Sequence, residues 1–209
     1  MLTRVWTPHV QPEWKVTFAG PDAQRADVRP LADATDEALV AACVDGRREA
    51  FDVIVERHRR QVYLLCYRFV GNHEDASDLA QDVFIRAYRG LGKFKQQASL
   101  ATWLYRIGVN VCLNRVSAPA PRSEPLANEE YLASRAESPA DVLLRDERAA
   151  EVRAAISRLP KKQRATLVLR VYHELPHEQI AGILGSSVGA AKANLFHALR
   201  NLKKLLGEP

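Results

Sequence analysis

The most informative part of this chain is the stretch 175–206 near its C-terminal end, which predicts two helices joined by a tight turn. Ile180 and Leu184 recur at helical spacing before Gly185, which suits the left-handed position that ends a helix. A serine after this glycine can cap a second helix, because its hydroxyl accepts from free N–H groups of the first turn. The stretch therefore has the pattern of a helix-turn-helix, a motif that places its second helix in the DNA major groove.

The second helix of this stretch has an apolar face, a polar face and several small residues. The apolar residues, at steps of three and four, are Val188, Ala191, Leu195, Ala198 and Leu202. The polar face carries Lys192, Asn194, His197, Arg200, Lys203 and Lys204. Small side chains at Gly189, Ala190 and Ala193 would let the helix backbone come close to phosphates. The alternative is an ordinary helical hairpin with a solvated basic face, which the motif alone leaves open.

The positive charge of the chain is concentrated at its C-terminal end. The formal net charge is +5, whereas residues 153–209 contain ten Lys or Arg against three Asp or Glu, a net charge of +7. A basic C-terminal unit is typical of a protein that binds a polyanion. A solvated basic surface would give the same count, so the charge supports DNA binding without deciding it.

Cysteine usage and hydropathy predict a cytoplasmic protein. Cys43, Cys66 and Cys112 form no CxxC pair and each lies in an apolar helical pattern, which predicts reduced, buried thiols. No apolar run approaches the length that spans a membrane. The N-terminus lacks the basic and then apolar layout of a secretory signal. We therefore expect no membrane insertion.

Helical periodicity extends through most of the N-terminal half. Residues 1–34 hold four prolines and show no sustained period, which indicates a disordered tail. Order is expected from Thr35 onwards, with helices over 36–44, 49–70 and 74–93. The sequence therefore predicts an all-α protein.

The third of these helices carries an acidic face. Asp75, Asp78 and Asp82 recur at steps of three and four, with Gln81 beside them. Like charges on one helical face cost stability, and the helix dipole compensates only for those near the N-terminus. Because Asp82 lies beyond the first turn, the face predicts a basic partner. A solvated acidic face is the alternative.

A short loop, residues 94–99, and the helix predicted over 100–116 combine aromatic, basic and amide side chains. Such side chains stack on unpaired bases and hold phosphates. The candidate residues are Lys93, Phe94, Lys95, Gln96, Ser99, Trp103, Arg106, Asn110 and Arg115. In the alternative interpretation Trp103 belongs to the core, while Arg106, Asn110 and the loop still bind.

Two blocks of the sequence resemble bacterial sigma factors of the extracytoplasmic-function group. DASDLAQDVFIRAYRGLGKF, followed by ASLATWLYRIGVNVCLNR, is similar to their domain 2. LPKKQRATLVLRVYHELPHEQIAGILGSSVGAAKANLFHALRNL is similar to their domain 4. The resemblance implies an all-α fold of two small helical domains, sigma domain 2 and a helix-turn-helix sigma domain 4, joined by a flexible linker. The implied divisions are the tail at 1–34, domain 2 at 35–116, the linker at 117–139 and domain 4 at 140–209.

The resemblance also implies partners and a role for each candidate residue. The face that docks on the clamp coiled coil of core RNA polymerase comprises Asp75, Asp78, Leu79, Gln81, Asp82 and Phe84. The nine candidates of the loop and the following helix open the promoter −10 element and capture a flipped base. The −35 element is read in the major groove by Ser186, Ser187, Val188, Gly189, Ala190, Lys192, Ala193, Asn194, His197 and Arg200. The polymerase flap and an anti-sigma factor are further implied partners, whereas no catalytic residue, metal or cofactor is implied.

The sequence departs from the family pattern in both DNA-reading segments. Around Lys192 this sequence has Ala190, Ala191, Ala193 and Asn194. In the family these positions are often Thr, a β-branched residue, Ser and Arg. Asparagine pairs bidentately with adenine and alanine touches a thymine methyl, so we expect a different −35 preference. Residues 95–98 replace positions that are often acidic or glycine, which leaves the captured base open.

Two other classes of function are open on the residues alone. An enzyme would need a catalytic constellation, but the sequence holds no phosphate-binding glycine loop, nucleophile elbow or HExxH motif. His173 and His177 are four residues apart, yet Pro176 at a helix start separates them, so a metal pair is not expected. The second class is a helix-turn-helix regulator that binds DNA without polymerase. Promoter binding that depends on core polymerase would distinguish a sigma factor from it.

Overall fold

A computed structural model describes residues 29–117 and 139–207, and the residues of these two ranges form helices and short connections, with no strand among them. The expected all-α fold is confirmed. The helices of the first range, here the N-terminal unit, are α1 (Arg29–Ala32), α2 (Asp36–Val44), α3 (Glu49–Val70), α4 (His73–Gly90) and α5 (Leu100–Ser117). A 3₁₀ turn, Leu91–Lys93, follows α4.

The second range, here the C-terminal unit, contains four helices. They are α6 (Pro139–Ser157), α7 (Lys161–Leu167), α8 (His177–Leu184) and α9 (Val188–Leu205). A π-helical turn, Val168–Tyr172, continues α7. Such a turn adds a residue to the helical repeat and so changes the direction in which the following side chains point.

Helix α3 is the centre of the N-terminal unit, with α2, α4 and α5 packed around it. Ile54, Val62 and Leu65 on its inner face are fully buried, as the apolar spacing predicts. The approach of α5 requires Gly108, because a Cβ there would lie only 2.7 Å from Leu65 Cδ2. The packing of α5 on α3 therefore depends on a missing side chain.

Local signals in the sequence set the helix ends. Gly71 adopts a left-handed conformation, at φ 77°, and ends α3. Asn72 then begins α4, since its Oδ1 accepts from Asp75 N–H at 2.8 Å. Thr35 caps α2 in the same manner, by accepting from Ala38 N–H.

The structure corrects the start of the ordered chain. Residues 29–34 were expected in the tail, yet α1 forms there and Leu31 is buried in the core. Arg57 of α3 holds the segment, because its guanidinium donates to the carbonyls of Ala32 and Ala34 at 3.2 and 2.8 Å. The remaining tail, residues 1–28, and most of the expected linker, residues 118–138, lie outside the described residues.

The cysteines differ from one another. Cys66 and Cys112 are buried as expected, whereas Cys43 is only half-buried, which corrects the prediction for that thiol. Burial, followed by the charge of Asp52, still raises the pKa of Cys43 to about 11. A thiol with so high a pKa holds little of the reactive thiolate at neutral pH.

Candidate nucleic-acid and polymerase interfaces

The helix-turn-helix pattern is confirmed as two helices, α8 and α9, joined by a three-residue turn. Gly185 ends α8 in the left-handed region at φ 58°, which a residue with a Cβ adopts at a cost. Ser187, and not Ser186, caps α9, since its hydroxyl accepts from Ala190 N–H at 3.1 Å. These two local features fix the angle at which α9 leaves the turn.

Helix α9 presents an exposed stripe, which we call the recognition surface. Its residues, at steps of three and four, are Gly189, Lys192, Ala193, Phe196, Leu199, Arg200 and Lys203. Asn194 and His197 lie at the border of this stripe and are half-buried. The surface is narrow and basic, and it carries the small residues near the helix start, where a recognition helix meets base edges.

Four residues assigned to −35 reading lie outside the recognition surface. Ser187 is exposed in the turn, where its hydroxyl caps α9, and Ala190 is half-buried. Val188 is half-buried and packs against the main hydrophobic core. Ser186 lies in the turn, where its hydroxyl oxygen is buried and has no hydrogen-bond partner among the described residues. Val188 and Ser186 therefore face inward, because the turn must close over the α8–α9 contact.

The recognition surface also contains apolar residues that were not predicted from the sequence. Phe196 is 63% exposed and Leu199 is 51% exposed. The Arg200 guanidinium lies 5.9 Å from the centre of the Phe196 ring. The sequence did offer one signal for the exposure of Phe196. Leu195 and Phe196 are consecutive in α9, so both side chains cannot face the core.

A second surface, the capture surface, is formed by the loop 94–99 and the exposed side of α5. Phe94 and Trp103 pack together with ring centres 4.9 Å apart. Trp103 is half-buried because it also covers Gly90, where a Cβ would lie 3.3 Å from the indole. Ser99 caps α5 by accepting from Thr102 N–H at 3.2 Å. The loop is therefore held at both ends, and Trp103 belongs partly to the core and partly to the surface.

The middle of this loop is exposed and strained. Lys93, Lys95 and Gln96 are all exposed. Gln96 has a positive φ of 53°, which non-glycine residues adopt rarely and at a cost. Strain of this kind is common at ligand-binding segments, where the surrounding structure maintains it.

A cavity of about 280 Å³ lies between the loop and the start of α2. Its lining residues are Asp36, Glu37, Phe94, Gln96, Ala98, Ser99 and Leu100. Asp36 is paired with Arg57 at 2.6 Å and with His58 at 3.0 Å, whereas Glu37 is exposed. Neither carboxylate was predicted from the sequence, because both lie about 60 residues before the loop and no local signal connects them to it.

The structure separates the candidates on α5. Arg106 and Asn110 are exposed on the side of the loop. Arg115 is twelve residues beyond Trp103, about 18 Å along the helix. Its guanidinium instead binds the Asp75 carboxylate at 2.5 Å. The structure thus places Arg115 with α4 and away from the capture surface.

The acidic face of α4 carries fewer unpaired carboxylates than the sequence suggests. The side chain of Asn72 and the guanidinium of Arg115 both donate to Asp75, and these contacts hold its pKa below the usual value. Asp82 pairs with Arg86 at 3.3 Å. Asp78 is exposed, and among the described residues no partner binds it. Asp75 and Asp82 are therefore each paired with an arginine of the N-terminal unit, which the sequence did not indicate.

Two further residues assigned to this face lie inside the fold. Leu79 and Phe84 are 8% and 7% exposed and belong to the hydrophobic core. Gln81 is half-buried. Leu79 and Phe84 therefore hold α4 against α3 and do not form its outer surface, which follows from the position of both residues on the apolar side of the helix.

The described residues contain no group of three or more side chains that could bind a metal ion. His173 and His177 accordingly belong to no such group, although each has a buried ring nitrogen without a hydrogen-bond partner in the described part of the chain. Within the same residues, no helix is both long and apolar enough to cross a membrane.

Comparison with known proteins assigns both units to one family. The profile of sigma-70 region 2 matches residues 54–119, and that of sigma-70 region 4 matches residues 149–202. The RNA polymerase sigma-H factor of Pseudomonas aeruginosa is 34% identical over 185 residues, which cover 84% of this chain and 96% of that protein. The chain belongs to the extracytoplasmic-function group of sigma-70 factors.

Further similarities support the assignment of this chain to the sigma factors. The ECF RNA polymerase sigma factor SigM of Mycobacterium tuberculosis is 36% identical over 173 residues, 83% of this chain and 85% of that protein. The structure of CnrH in complex with the cytosolic domain of CnrY aligns with a TM-score of 0.62 at 25% identity, over 82% of this chain and 97% of that one. Sigma factors direct promoter-specific initiation by core RNA polymerase, so membership favours this function over a regulator that binds DNA without polymerase.

Proposed function

We propose that this sigma factor divides its work among three surfaces: α4 for core polymerase, the recognition surface for the −35 element and the capture surface for the −10 element. The observation that carries the proposal is the presence, in one chain, of a basic recognition helix and of a separate aromatic and cationic loop beside a cavity. The first suits duplex DNA and the second suits a single strand.

At the −35 element, α9 enters the major groove with its N-terminal half. Lys192 is exposed and contacts phosphate, which adds affinity with little preference for sequence. Asn194, at the border of the surface, reaches a base edge and selects adenine. The exposed methyl group of Ala193 meets a thymine methyl.

At the −10 element, the capture surface holds one displaced strand. Unstacking a base costs a few kcal/mol, which a pocket, stacking and phosphate contacts together offset. Lys93, Lys95 and Arg106 contact the backbone, while the cavity beside Gln96 receives the flipped base. Glu37 can accept a hydrogen bond there from an exocyclic amino group.

Polymerase binding is assigned to the outer side of α4. Asp78 is the strongest candidate for a contact, because it is exposed and has no partner among the described residues. Asp82 can exchange its bond with Arg86 for one with a basic residue of the clamp coiled coil, since the pair is exposed and worth little. The flap is assigned to the C-terminal unit.

The domain divisions and the wider setting follow from the same proposal. Residues 35–116, together with the packed segment 29–34 before them, act as domain 2 and residues 140–209 as domain 4, with the linker at 117–139 between them. The chain acts in the cytoplasm, where its polymerase and promoters are, and it has no catalytic activity of its own. An anti-sigma factor holds it inactive, as the resemblance to the family implies.

The test is run-off transcription with purified core polymerase, this protein and a pool of promoter fragments. We expect selective initiation that depends on the protein and that is lost in the Asp78→Arg/Asp82→Arg variant. Asp33→Arg, a reversal of an exposed charge elsewhere, is the control and should remain active. DNA binding by the protein alone, with no initiation, would instead support the polymerase-independent regulator.

A further inference from the structure

A second cavity, of about 320 Å³, lies between α3, α6 and the end of the π-helical turn. Small-molecule pockets begin at about 300 Å³ and combine apolar walls with a few placed polar groups. Among the described residues that line this cavity, three are arginines, three are apolar or aromatic and none is acidic. They are Arg68, Arg148, Ala149, Val152, Arg153 and Tyr172. None of them belongs to the three surfaces assigned above, so the cavity is a separate candidate for a ligand site.

The aromatic wall of the cavity is held in a fixed position. Tyr172 is the last residue of the π-helical turn. Just after it, the Leu175 N–H donates to the Leu169 carbonyl at 3.1 Å, which closes the bend. The ring of His173, the next residue, lies 4.7 Å from the Tyr105 ring of α5. A wall fixed on both sides binds a ligand with little further loss of conformational entropy.

The two helices that supply the arginines are also joined to each other. Arg164 is 4% exposed, and its Nε donates to the Ile156 carbonyl of α6 at 3.0 Å. Its Nη1 donates to the Phe69 carbonyl of α3 at 3.2 Å. Phe69 directly follows Arg68, and Ile156 lies one helical turn after Arg153. The Arg164 guanidinium therefore sets the spacing between the two helices beside the cavity.

The cavity concentrates positive charge. Guanidinium groups that share a small space repel one another, and a bound anion turns this repulsion into attraction. Arg68 already acts on its surroundings, because burial and then the charge of Arg68 lower the pKa of His173 to about 4. Glu147 and Glu151 of α6 are exposed and do not line the cavity. The cavity is therefore suited to an anionic ligand.

We propose that this cavity binds a nucleoside diphosphate. A diphosphate ester carries about three negative charges at neutral pH, which match three guanidinium groups. Guanidinium groups bind phosphate oxygens bidentately and so fix their direction. The Arg68 guanidinium lies 4.3 Å from the centre of the Tyr172 ring, and 37% of Tyr172 remains exposed. This pair offers a flat surface on which the base stacks.

The shape of the site favours a free nucleotide over a nucleic-acid strand. A strand needs a basic groove that follows its backbone over several nucleotides. Here the arginines come from two helices, Arg68 from α3 and both Arg148 and Arg153 from α6, and they meet at one cavity. Ala149 and Val152 form an apolar wall between the α6 arginines, beside the place where the base stacks.

The first experiment is titration calorimetry of the full chain with ADP, GDP and inorganic pyrophosphate. We expect both nucleotides to bind, and pyrophosphate to bind about tenfold more weakly because it has no base to stack. Arg148→Ala should weaken all three about tenfold, since a charged contact is lost. Tyr172→Ala should weaken only the nucleotides, and Tyr172→Phe should restore their binding.

Arg158→Ala is the matched control. Arg158 is exposed just beyond the end of α6, about 15 Å along the helix axis from Arg148, and it does not line the cavity. This variant should bind all three ligands as the wild type does. Pyrophosphate binding as tight as that of ADP would overturn the proposal, and so would equal losses in Arg158→Ala and Arg148→Ala. No binding of either nucleotide to the wild type would overturn it as well.

A second measurement uses the wild type alone, so it does not depend on the folding of any variant. An azido derivative of ADP is attached by light, and the labelled peptides are identified by mass spectrometry. We expect labelling within residues 147–158 or 168–173 that excess ADP prevents. Labelling confined to 186–206 would place the nucleotide on the recognition surface and overturn the proposal. Binding of a single-stranded oligonucleotide at the cavity residues, with no binding of ADP, would overturn it too.

Discussion

The two surfaces that we propose for DNA binding differ in how much of the chain each one needs. The recognition surface is one side of a single helix, placed by Gly185 and Ser187 next to it in the sequence. The capture surface combines the loop 94–99 with α5 and a cavity wall from α2, about 60 residues earlier. The first surface is therefore robust to distant changes, whereas the second depends on the packing of the whole N-terminal unit.

This difference has a functional counterpart. A duplex presents a regular groove, which one rigid helix can fill. A displaced base has no fixed position until the protein supplies a pocket and a stacking partner, and these must come from several elements. The capture surface also contacts the C-terminal unit, because Arg106 donates to the Gly182 carbonyl at 2.9 Å.

The largest effect should come from Trp103→Ala. The substitution removes the packing partner of Phe94 and the side chain that covers Gly90, so the loop 94–99 loses the contacts that support it. We expect −10 melting to fall by roughly a hundredfold, about 3 kcal/mol, from lost stacking and loop order. Chemical probing of unpaired thymines in the open complex measures this. Duplex −35 binding by the holoenzyme should change little, and Tyr88→Ala, an exposed aromatic on α4, serves as the control.

A smaller effect, confined to the other surface, should follow from Asn194→Ala. Loss of a bidentate contact should relax the preference at one −35 base pair by about 1–3 kcal/mol. Lys192→Ala should instead weaken all promoters alike and reduce the dependence of binding on salt. Binding to a set of single-base −35 variants distinguishes the two. An equal loss on every sequence for Asn194→Ala would argue against direct readout.

The pH dependence of stability should be smaller still. Burial, and then the charge of Arg68, lowers the pKa of His173 from 6.5 to about 4. The stability that neutral His173 contributes is therefore fully present above pH 6.5 and is lost as the pH falls toward 4. Between pH 7.5 and 5 the folding equilibrium constant should fall by roughly thirtyfold. Thermal unfolding at the two pH values measures this, and His173→Gln should reduce the response.

The smallest expected effect is a difference in stability between alanine substitutions at two glycines that are three residues apart. Gly185 requires a positive φ, so Gly185→Ala should destabilise the C-terminal unit by about 1 kcal/mol. Gly182 lies inside α8 with open space where a Cβ would point, so Gly182→Ala should stabilise by a similar amount. Thermal unfolding of the two variants provides the comparison. Two changes of the same sign would contradict the role given to the turn.

Several features of the fold follow from short stretches of sequence. The helices of both units were predictable because apolar residues at steps of three and four mark a buried face. The ends of α3 and α8 were predictable as well, since Gly71 and Gly185 are the residues that a left-handed helix end favours. The choice of Ser187 over Ser186 as the cap was not, because both hydroxyls lie within reach of the turn.

Side-chain pairings between distant residues were not predictable. Nothing near Asp75 in the sequence indicates that Arg115, forty residues later, would pair with it. The order of residues 29–34 depends on Arg57 in the same manner, which is why a proline-rich segment that reads as a tail forms α1. The exposure of Phe196 likewise depends on what the rest of the C-terminal unit leaves uncovered.

The helical class, the helix-turn-helix and the family could all be established from the amino-acid sequence, because each depends on residues within a few turns of one another. Which of the chosen residues lie at the surface became known only from the way the helices pack. Packing buried Leu79 and Phe84, and it joined the two units through Arg164 and Phe69. The physical reason is that a hydrogen bond or a close contact depends on positions in space, and these are set by all the helices together.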